Sequence, residues 1–294
     1  MRITNTMLQR NATQSMQQNL QRVAQAQTQV STGLRFASFA DDPHAQSAVM
    51  QSAGALRAIE QYGRNIADAK ARSTLEDSVL DQLSTALDRV KQVAIQQGSS
   101  TATAQTRAGA KAEVDNLIDF VVGLGNTRYA DTYLFGGDNV TSATISNAPP
   151  FYTTLNAPSG NHKTEISADQ IFRPTHNAKE LLLDTGVLQT LTDLSTALGN
   201  DNQAQISATI ASIETGHQGI QALVGDLGAR INQLEITGSN LDALKTNLTI
   251  YKSNLSEIDQ EEAFTNLIAR QTTYQAAMLA TSRIVNLTLT DYLR

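Results

Sequence analysis

Cysteine and tryptophan are both missing from this 294-residue chain, and aromatic residues make up only 5% of it. Without cysteine there are no disulfides, no thiolate metal sites and no cysteine nucleophile, while the compartment stays open. So little aromatic bulk is at odds with one large globular core and points to long helices packed side by side. Proline is scarce, and four of the five (Pro149, Pro150, Pro158 and Pro174) fall in one stretch. Nowhere do 18 apolar residues run together, so no helix is expected to span a membrane. Basic charge is also short: a net charge of -6 argues against nucleic acid as a partner. No basic amphipathic face suits an anionic membrane either. The opening Met1-Arg2-Ile3-Thr4 has neither the apolar core nor the small-residue cleavage site of a secretory signal, so any export is expected to read a different signal.

What the chain does have is periodicity. From Ile206 to Ile258 apolar residues recur at steps of four and three: Ile206, Ile210, Ile213, His217, Ile220, Val224, Leu227, Ile231, Leu234, Gly238 and Leu241. Two consecutive steps of three, Gly238 to Leu241 to Leu244, reset the register, and Leu248, Tyr251, Leu255 and Ile258 continue it. This spacing predicts a coiled-coil seam with a stammer. At 1.5 Å per residue the helix is ~80 Å long, and so narrow a stripe needs partner helices to cover it.

The rest of the chain supplies them. The first segment is polar with a thin line at three-four spacing, Met16, Leu20, Val23, Gln27, Val30 and Leu34. A helix this weakly amphipathic is expected to order on assembly rather than alone. Asp42 followed by Pro43 predicts an N-cap with proline at the first helical position, rather than a carboxylate pair for metal or acid/base work. From Pro43 to about Gly98 a second long helix carries Leu80, Leu83, Leu87, Val90 and Ala94, and Gly98-Ser99-Ser100-Thr101 breaks it. Another helix runs from about Thr103 to Thr127, with Val114, Leu117, Ile118, Val121 and Leu124 on one side. The bundle seam is therefore expected at Leu80, Leu83, Leu87 and Val90 against Ile220, Val224, Leu227, Ile231 and Leu234.

Between about residues 129 and 177 the character changes. Tyr129 to Phe135, Thr141 to Ser146, Phe151 to Leu155 and Lys163 to Ile166 read as strands bounded by turns. Helical patterning resumes from Asn177 to Leu198, and Gly199-Asn200-Asp201-Asn202 makes a loop. After the acidic run Asp259 to Glu262, which suits a helix start, a last helix carries Phe264, Leu267, Tyr274, Met278 and Val285 and ends with Tyr292 and Leu293. The two terminal helices are expected to bury their stripes on each other. The fold class is thus mainly α, with long coiled-coil helices from both termini, a helical bundle and an inserted β-rich outer domain. In numbers, residues 1–40 and 259–294 form the paired terminal helices, disordered before assembly; 41–128 and 200–258 the bundle; 129–199 the inserted domain with a short helix.

Chemistry finds no foothold. His44, His162, His176 and His217 are widely separated, with no pair at helical metal-ligand spacing, and His217 on the seam reads as a core or edge histidine. The glycine clusters Gly136-Gly137 and Gly225-Asp226-Leu227-Gly228 lack the strand-helix context of a phosphate loop. No serine stands in a nucleophile elbow. No catalytic, cofactor-binding or metal residues are expected, and no enzyme activity.

Taken in order, Ser31-Thr32-Gly33 to Asp41-Asp42, Arg64-Asn65 to Gln97, and two terminal coiled-coil helices around a variable centre make the chain resemble the bacterial flagellin family. Asp41-Asp42-Pro43, Tyr133-Leu134-Phe135-Gly136-Gly137 and the ending Asp291-Tyr292-Leu293 are most similar to its hook-filament junction branch, the match covering roughly residues 1–137 and 203–294. The resemblance implies a structural subunit that joins hook to filament, forming a helical ring with copies of itself. It also implies contacts with the other hook-filament junction protein and with flagellin, a cytoplasmic export chaperone, and export through the flagellar type III apparatus to an extracellular place in the flagellum. The alternatives are a filament or minor flagellin and a type III secreted translocator or effector. On this reading Met16, Leu20, Val23, Val30, Leu34, Phe264, Leu267, Tyr274, Met278, Val285, Tyr292 and Leu293 form an axial assembly seam. The stammer, Gly33 and the loop at 98–101 are expected to give the subunit its compliance.

Overall fold

The computed structural model describes residues 5–36, 38–145 and 160–292. Six α-helices dominate it: α1 (Asn5–Thr32), α2 (Pro43–Gln97), α3 (Ala104–Gly125), α4 (Val187–Gly199), α5 (Gln203–Ser256) and α6 (Gln260–Tyr292). The chain divides into two compact units, one taking residues up to Ala58 and from Ala243 on, the other Ile59–Asp242. Helices α2 and α5 each contribute residues to both.

In the unit from Ile59 to Asp242, α2 and α5 run antiparallel in one fixed register. Lys70 pairs with Glu235 at 2.8 Å, Ser84 with Gln221 at 3.5 Å, Asp88 with His217 at 3.6 Å, and Lys91 with Glu214. Each step along one helix is matched by an equal step back along the other. Their seams meet with α3 and α4 in one apolar core, including Leu80, Leu87, Val114, Ile118, Leu191, Leu194, Ile206 and Ile213. Burying a leucine or isoleucine side chain of this kind stabilises by about 1.5–3 kcal/mol, so the four helices hold together through the seam rather than through helix propensity. α3 begins at a capping box: Thr103 Oγ1 accepts from the Thr106 amide at 3.3 Å, and Thr106 Oγ1 accepts from the Thr103 amide at 3.0 Å.

The α5 seam keeps a strict seven-residue repeat. Ile206, Ile213, Ile220, Leu227, Leu234 and Leu241 are buried, and the intervening Ile210, His217, Val224, Ile231 and Gly238 are half-covered. The expected stammer is not followed by burial: Leu244 and Tyr251 are exposed, whereas Leu248 and Leu255 extend the sevenfold series as half-buried residues. The reset lies in the residue pattern, while the covered face continues the period of the core.

Among the described residues the β content is smaller than the residue types suggest. β1 (Arg128–Tyr129) and β2 (Thr132–Tyr133) form a two-residue hairpin in place of a strand from Tyr129 to Phe135, turned at Ala130 with φ 51°. The described part of Thr141 to Ser146 is no strand, because the Asn126 side chain takes up its backbone groups. Asn126 Oδ1 accepts from the Thr144 and Ile145 amides at 3.0 and 3.1 Å, and its Nδ2 donates to the Ile145 carbonyl at 2.9 Å. Phe151 to Leu155 lies outside the described residues. β3 (Thr164–Ser167) and β4 (Gln170–Phe172) pair antiparallel with a bulge between Glu165 and Ser167. Their inward residues Ile166 and Phe172 pack with Ala69 and Leu234 in a second, smaller cluster. The helix expected from Asn177 is split into a π-helical turn, Lys179–Asp184, and α4, because Gly186 adopts φ 71° between them. α4 packs on α3 and lies in the main core.

The motif Tyr133-Leu134-Phe135-Gly136-Gly137 sits where the chain leaves the helices. Leu134 and Phe135 are buried in the main core. A Cβ on Gly136 would lie 2.5 Å from the Asn139 carbonyl oxygen, so the tight turn there needs glycine. The returning chain is stitched to the motif: the Ala178 amide donates to Phe135 O at 3.0 Å and Thr175 Oγ1 to Leu134 O at 3.3 Å.

Candidate assembly surface

In the other unit α1 and α6 pack along each other. Among the described side chains of α1 the less exposed are Ala12, Met16, Asn19, Val23, Ala26, Gln29 and Val30, which apart from Gln29 step by three and four. On α6 the corresponding set is Ala263, Leu267, Tyr274, Ala277 and Thr281. Of the predicted axial seam, Met16, Val23, Val30, Leu267 and Tyr274 are therefore partly covered, whereas Leu20, Leu34, Phe264 and Met278 are exposed. The covered line of α1 runs through the small Asn19 and Ala26 instead of Leu20 and Gln27, one residue and so about 100° round the helix. Apolar bulk is left on the far side of α6: Phe264 is 52% exposed, Ile268 62% and Leu279 66%. The side chains of Val285 and Tyr292, and all of Leu293, lie outside the described residues.

Beyond α1 the backbone makes a small clasp. Gly33, at φ 71°, ends the helix, and its amide donates to Gln29 O at 2.8 Å. Leu34 then bridges Glu257, with the Arg35 amide on Ser256 O at 2.8 Å and the Ile258 amide on Gly33 O at 3.1 Å. The Gln29 side chain adds a bond to Arg35 O at 2.7 Å. Asp42 caps α2, its Oδ1 accepting from the Ala45 amide at 3.0 Å with Pro43 at the first helical position, and its Oδ2 pairs with Arg35 at 3.0 Å. That backbone bond, with the Arg35 guanidinium beside it, holds the Asp42 carboxyl below the usual carboxylate range. Asp259 opens α6 in the same manner, accepting from the Glu261 and Glu262 amides at 2.9 and 3.3 Å.

In the unit built around the bundle, Leu80, Leu83, Leu87, Val90, Ile220 and Leu227 are buried in the main core, Val224 and Ile231 pack against its edge, and Leu234 belongs to the smaller cluster. Two polar features within it escaped the sequence reading. Arg107, only 6% exposed, donates to the carbonyls of Gln97 at 3.2 Å and Ser99 at 3.3 Å and to Asp201 at 2.5 Å. It ties the break at 98–101 to the loop before α5. The second is a charge cluster that runs from the interior to the surface: Glu76 and His176 are buried, Arg230 is partly covered and Asp226 is half-exposed. Glu76 keeps the three-four spacing of Ser73, Leu80, Leu83 and Leu87, so a carboxylate stands in an otherwise apolar or small seam. That spacing was the available signal. Elsewhere burial holds the His162 imidazole below its ordinary value, with Arg72 adding to the effect.

Among the described residues, no group of three His, Asp or Glu side chains is placed to hold a metal, and no helix is long and apolar enough to cross a membrane. Termini paired as long helices, a helical bundle between them in sequence and a stitched-off excursion define a helical structural subunit. The model of the bacterial flagellin N-terminal helical region matches residues 3–140 and that of the C-terminal helical region matches 210–293; the chain belongs to the bacterial flagellin family. Flagellar hook-associated protein 3 of Escherichia coli (strain K12) is 25% identical over 95% of this chain and 98% of its own length. A flagellin of Halalkalibacterium halodurans is 24% identical over 92% of this chain and 91% of its own. The crystal structure of flagellar hook-associated protein-3 from Legionella pneumophila has the same fold, with a TM-score of 0.64 at 12% identity over 70% of this chain and 98% of that one.

Proposed function

We propose that this chain is a structural adapter of the bacterial flagellum, forming the hook-filament junction on which flagellin assembles. The observation that carries the reading is the uncovered apolar line on α6, Phe264, Ile268 and Leu279, in helices already paired with each other. Isolated apolar residues on a surface need no explanation, but a line of them along a polar helix needs a neighbour. Near full-length similarity to a hook-associated protein 3 supplies the place. On this reading residues 1–40 and 259–294 gain order as copies stack into a helical ring. The other hook-filament junction protein lies below, flagellin above, and a cytoplasmic chaperone keeps the subunit competent for type III export. Residues 41–128 with 200–258 make the bundle; the part of 129–199 before Ala178 makes the outward-facing excursion, and α4 rejoins the bundle core. Nothing in this role asks for a cofactor or for catalysis.

Electron microscopy of flagella from a strain lacking the gene tests the proposal. Hooks that persist without filaments, with flagellin released into the medium, are expected. Normal filaments would refute it. The near-equal similarity to a flagellin keeps one second reading, a filament or minor flagellin. Long polymers grown from the purified chain alone favour that reading.

A further inference from the structure

We propose that neighbouring copies of this chain meet in a stagger set by charge, with Arg10 and Arg283 of one copy lying against an acidic cleft at the clasp of the next. This rests on the reading of the chain as a subunit that stacks with copies of itself. The apolar line of α6 gives such copies a reason to adhere but no axial position, because Phe264, Ile268 and Leu279 offer the same kind of contact along the helix.

The charges of the terminal helices are sorted. Residues 5–34 and 263–290 contain no Asp, Glu or Lys, only Arg10, Arg22, Arg270 and Arg283, in a chain of net charge -6. All four arginines are exposed, and among the described residues none is held in an ion pair. The acids stand together where α1 ends and α6 begins: Glu257, Asp259, Glu261 and Glu262, exposed as well. Both helices meet at the clasp and pack along each other, so they run antiparallel. Gln29 shares a cleft there with Ala263 and Asn266, and equal steps away from it bring Arg22 level with Arg270 and Arg10 level with Arg283.

That cleft has a volume of about 260 Å³, and Glu257, Asp259, Glu262, Arg35 and Arg270 line it. Arg35 is engaged by Asp42 at 3.0 Å, which leaves Arg270 as the one cation against three carboxylates. The near pair, Arg22 and Arg270, thus already lies beside these acids. The far pair does not: from Glu262 to Arg283 is ~30 Å along α6, against a screening length of about 8 Å at physiological salt. No acid of α1, and none of α6 between Glu262 and Asp291, compensates it. A second copy displaced by that distance brings its cleft to the far pair. Each copy offers one arginine pair and one cleft, so the contact passes from copy to copy in a helical row. Copies lying level would set arginine on arginine and acid on acid.

Sedimentation of the purified full chain tests this. Self-association is expected to weaken about tenfold as NaCl rises from about 0.05 to 0.5 M, whereas adhesion through the apolar line alone would hold. Arg283→Glu and Glu262→Arg should each weaken it by about tenfold, and an equimolar mixture should regain it, because the altered end of each variant then meets that of the other. Level copies would leave each single variant no worse than the wild type. Both side chains are exposed, so circular dichroism should show both variants folded; Arg10→Glu with Glu257→Arg is a second pair. A single variant that associates like the wild type, or a mixture that regains nothing, overturns the stagger and leaves stacking in place. A wild type that stays monomeric at every salt concentration overturns the stagger together with the ring it rests on.

Discussion

Replacing Arg107 by alanine removes three bonds at one stroke from the end of the bundle. Two are to backbone carbonyls, Gln97 O at the end of α2 and Ser99 O in the loop after it; the third is to Asp201, which is half-exposed and is therefore screened. Hydrogen bonds from a charged donor contribute about 1.5–3 kcal/mol each when buried and less when water can replace them. Water can reach the loop carbonyls once the guanidinium is gone, so the net loss should be roughly 2–3 kcal/mol. For a unit of this size that corresponds to a fall in Tm of about 4–12 °C, read by calorimetry of the full chain. Exchange protection at residues 97–107 should fall with it. Arg107→Lys keeps the charge but cannot reach all three oxygens from one ammonium, and should recover less than half of the loss. A Tm unchanged in the alanine variant, or full recovery by lysine, would show that the two loops hold their places without this side chain.

Three other outcomes are expected. Ile268→Ser should leave the thermal stability of the isolated subunit within about 0.5 kcal/mol, because the side chain is already in water; sedimentation should show lost self-association, and unaltered assembly would remove the outward stripe from the proposed function. Gly238→Ala should raise stability by about 0.5–1 kcal/mol in urea unfolding, since a Cβ there meets only Ile66 Cγ2 at 3.9 Å; a loss would mean that the seam needs the gap. The Asp42 cap is held below its ordinary pKa, so its contribution is present above the usual carboxylate value of about 3.9 and is lost as the pH falls through the lower folded value. The start of α2 should therefore fray in acid, seen in the Ala45 amide by NMR, and Asp42→Asn, which caps comparably, should remove that pH dependence.

Helices and their faces were legible because apolar spacing reports burial directly: Leu80 to Val90 and Ile206 to Leu234 lie where the three-four pattern puts them. The cap at Asp42 was legible because its chemistry is local. The terminal line was read one residue off, through Leu20 instead of Asn19, because an α1 packed on α6 selects small residues and a hydrophobic scan rewards large ones. Strands were overcalled around Thr141 because one side chain, Asn126, replaces a partner strand, and no local composition announces that. Arg107 and His176 depend on residues 94 and 100 positions away in the chain, so only the fold brings their partners to them. Glu76 alone carried a mark, a carboxylate in apolar register.

That misplaced carboxylate bears on how two nearly uniform rulers find one alignment. The α5 seam offers the same kind of knob every seven residues, and α2 presents Leu80, Leu87 and Ala94 at the same interval. Sliding one helix past the other by one such interval, about 10.5 Å, would seat aliphatic on aliphatic again at small cost. It would also carry Asp226 away from His176 and leave a ring nitrogen of a buried histidine without its partner, a cost of about 1–3 kcal/mol that the apolar contacts have no means to impose. The acid-histidine-acid line is thus the index mark on the scale, converting a degenerate pairing into a single address.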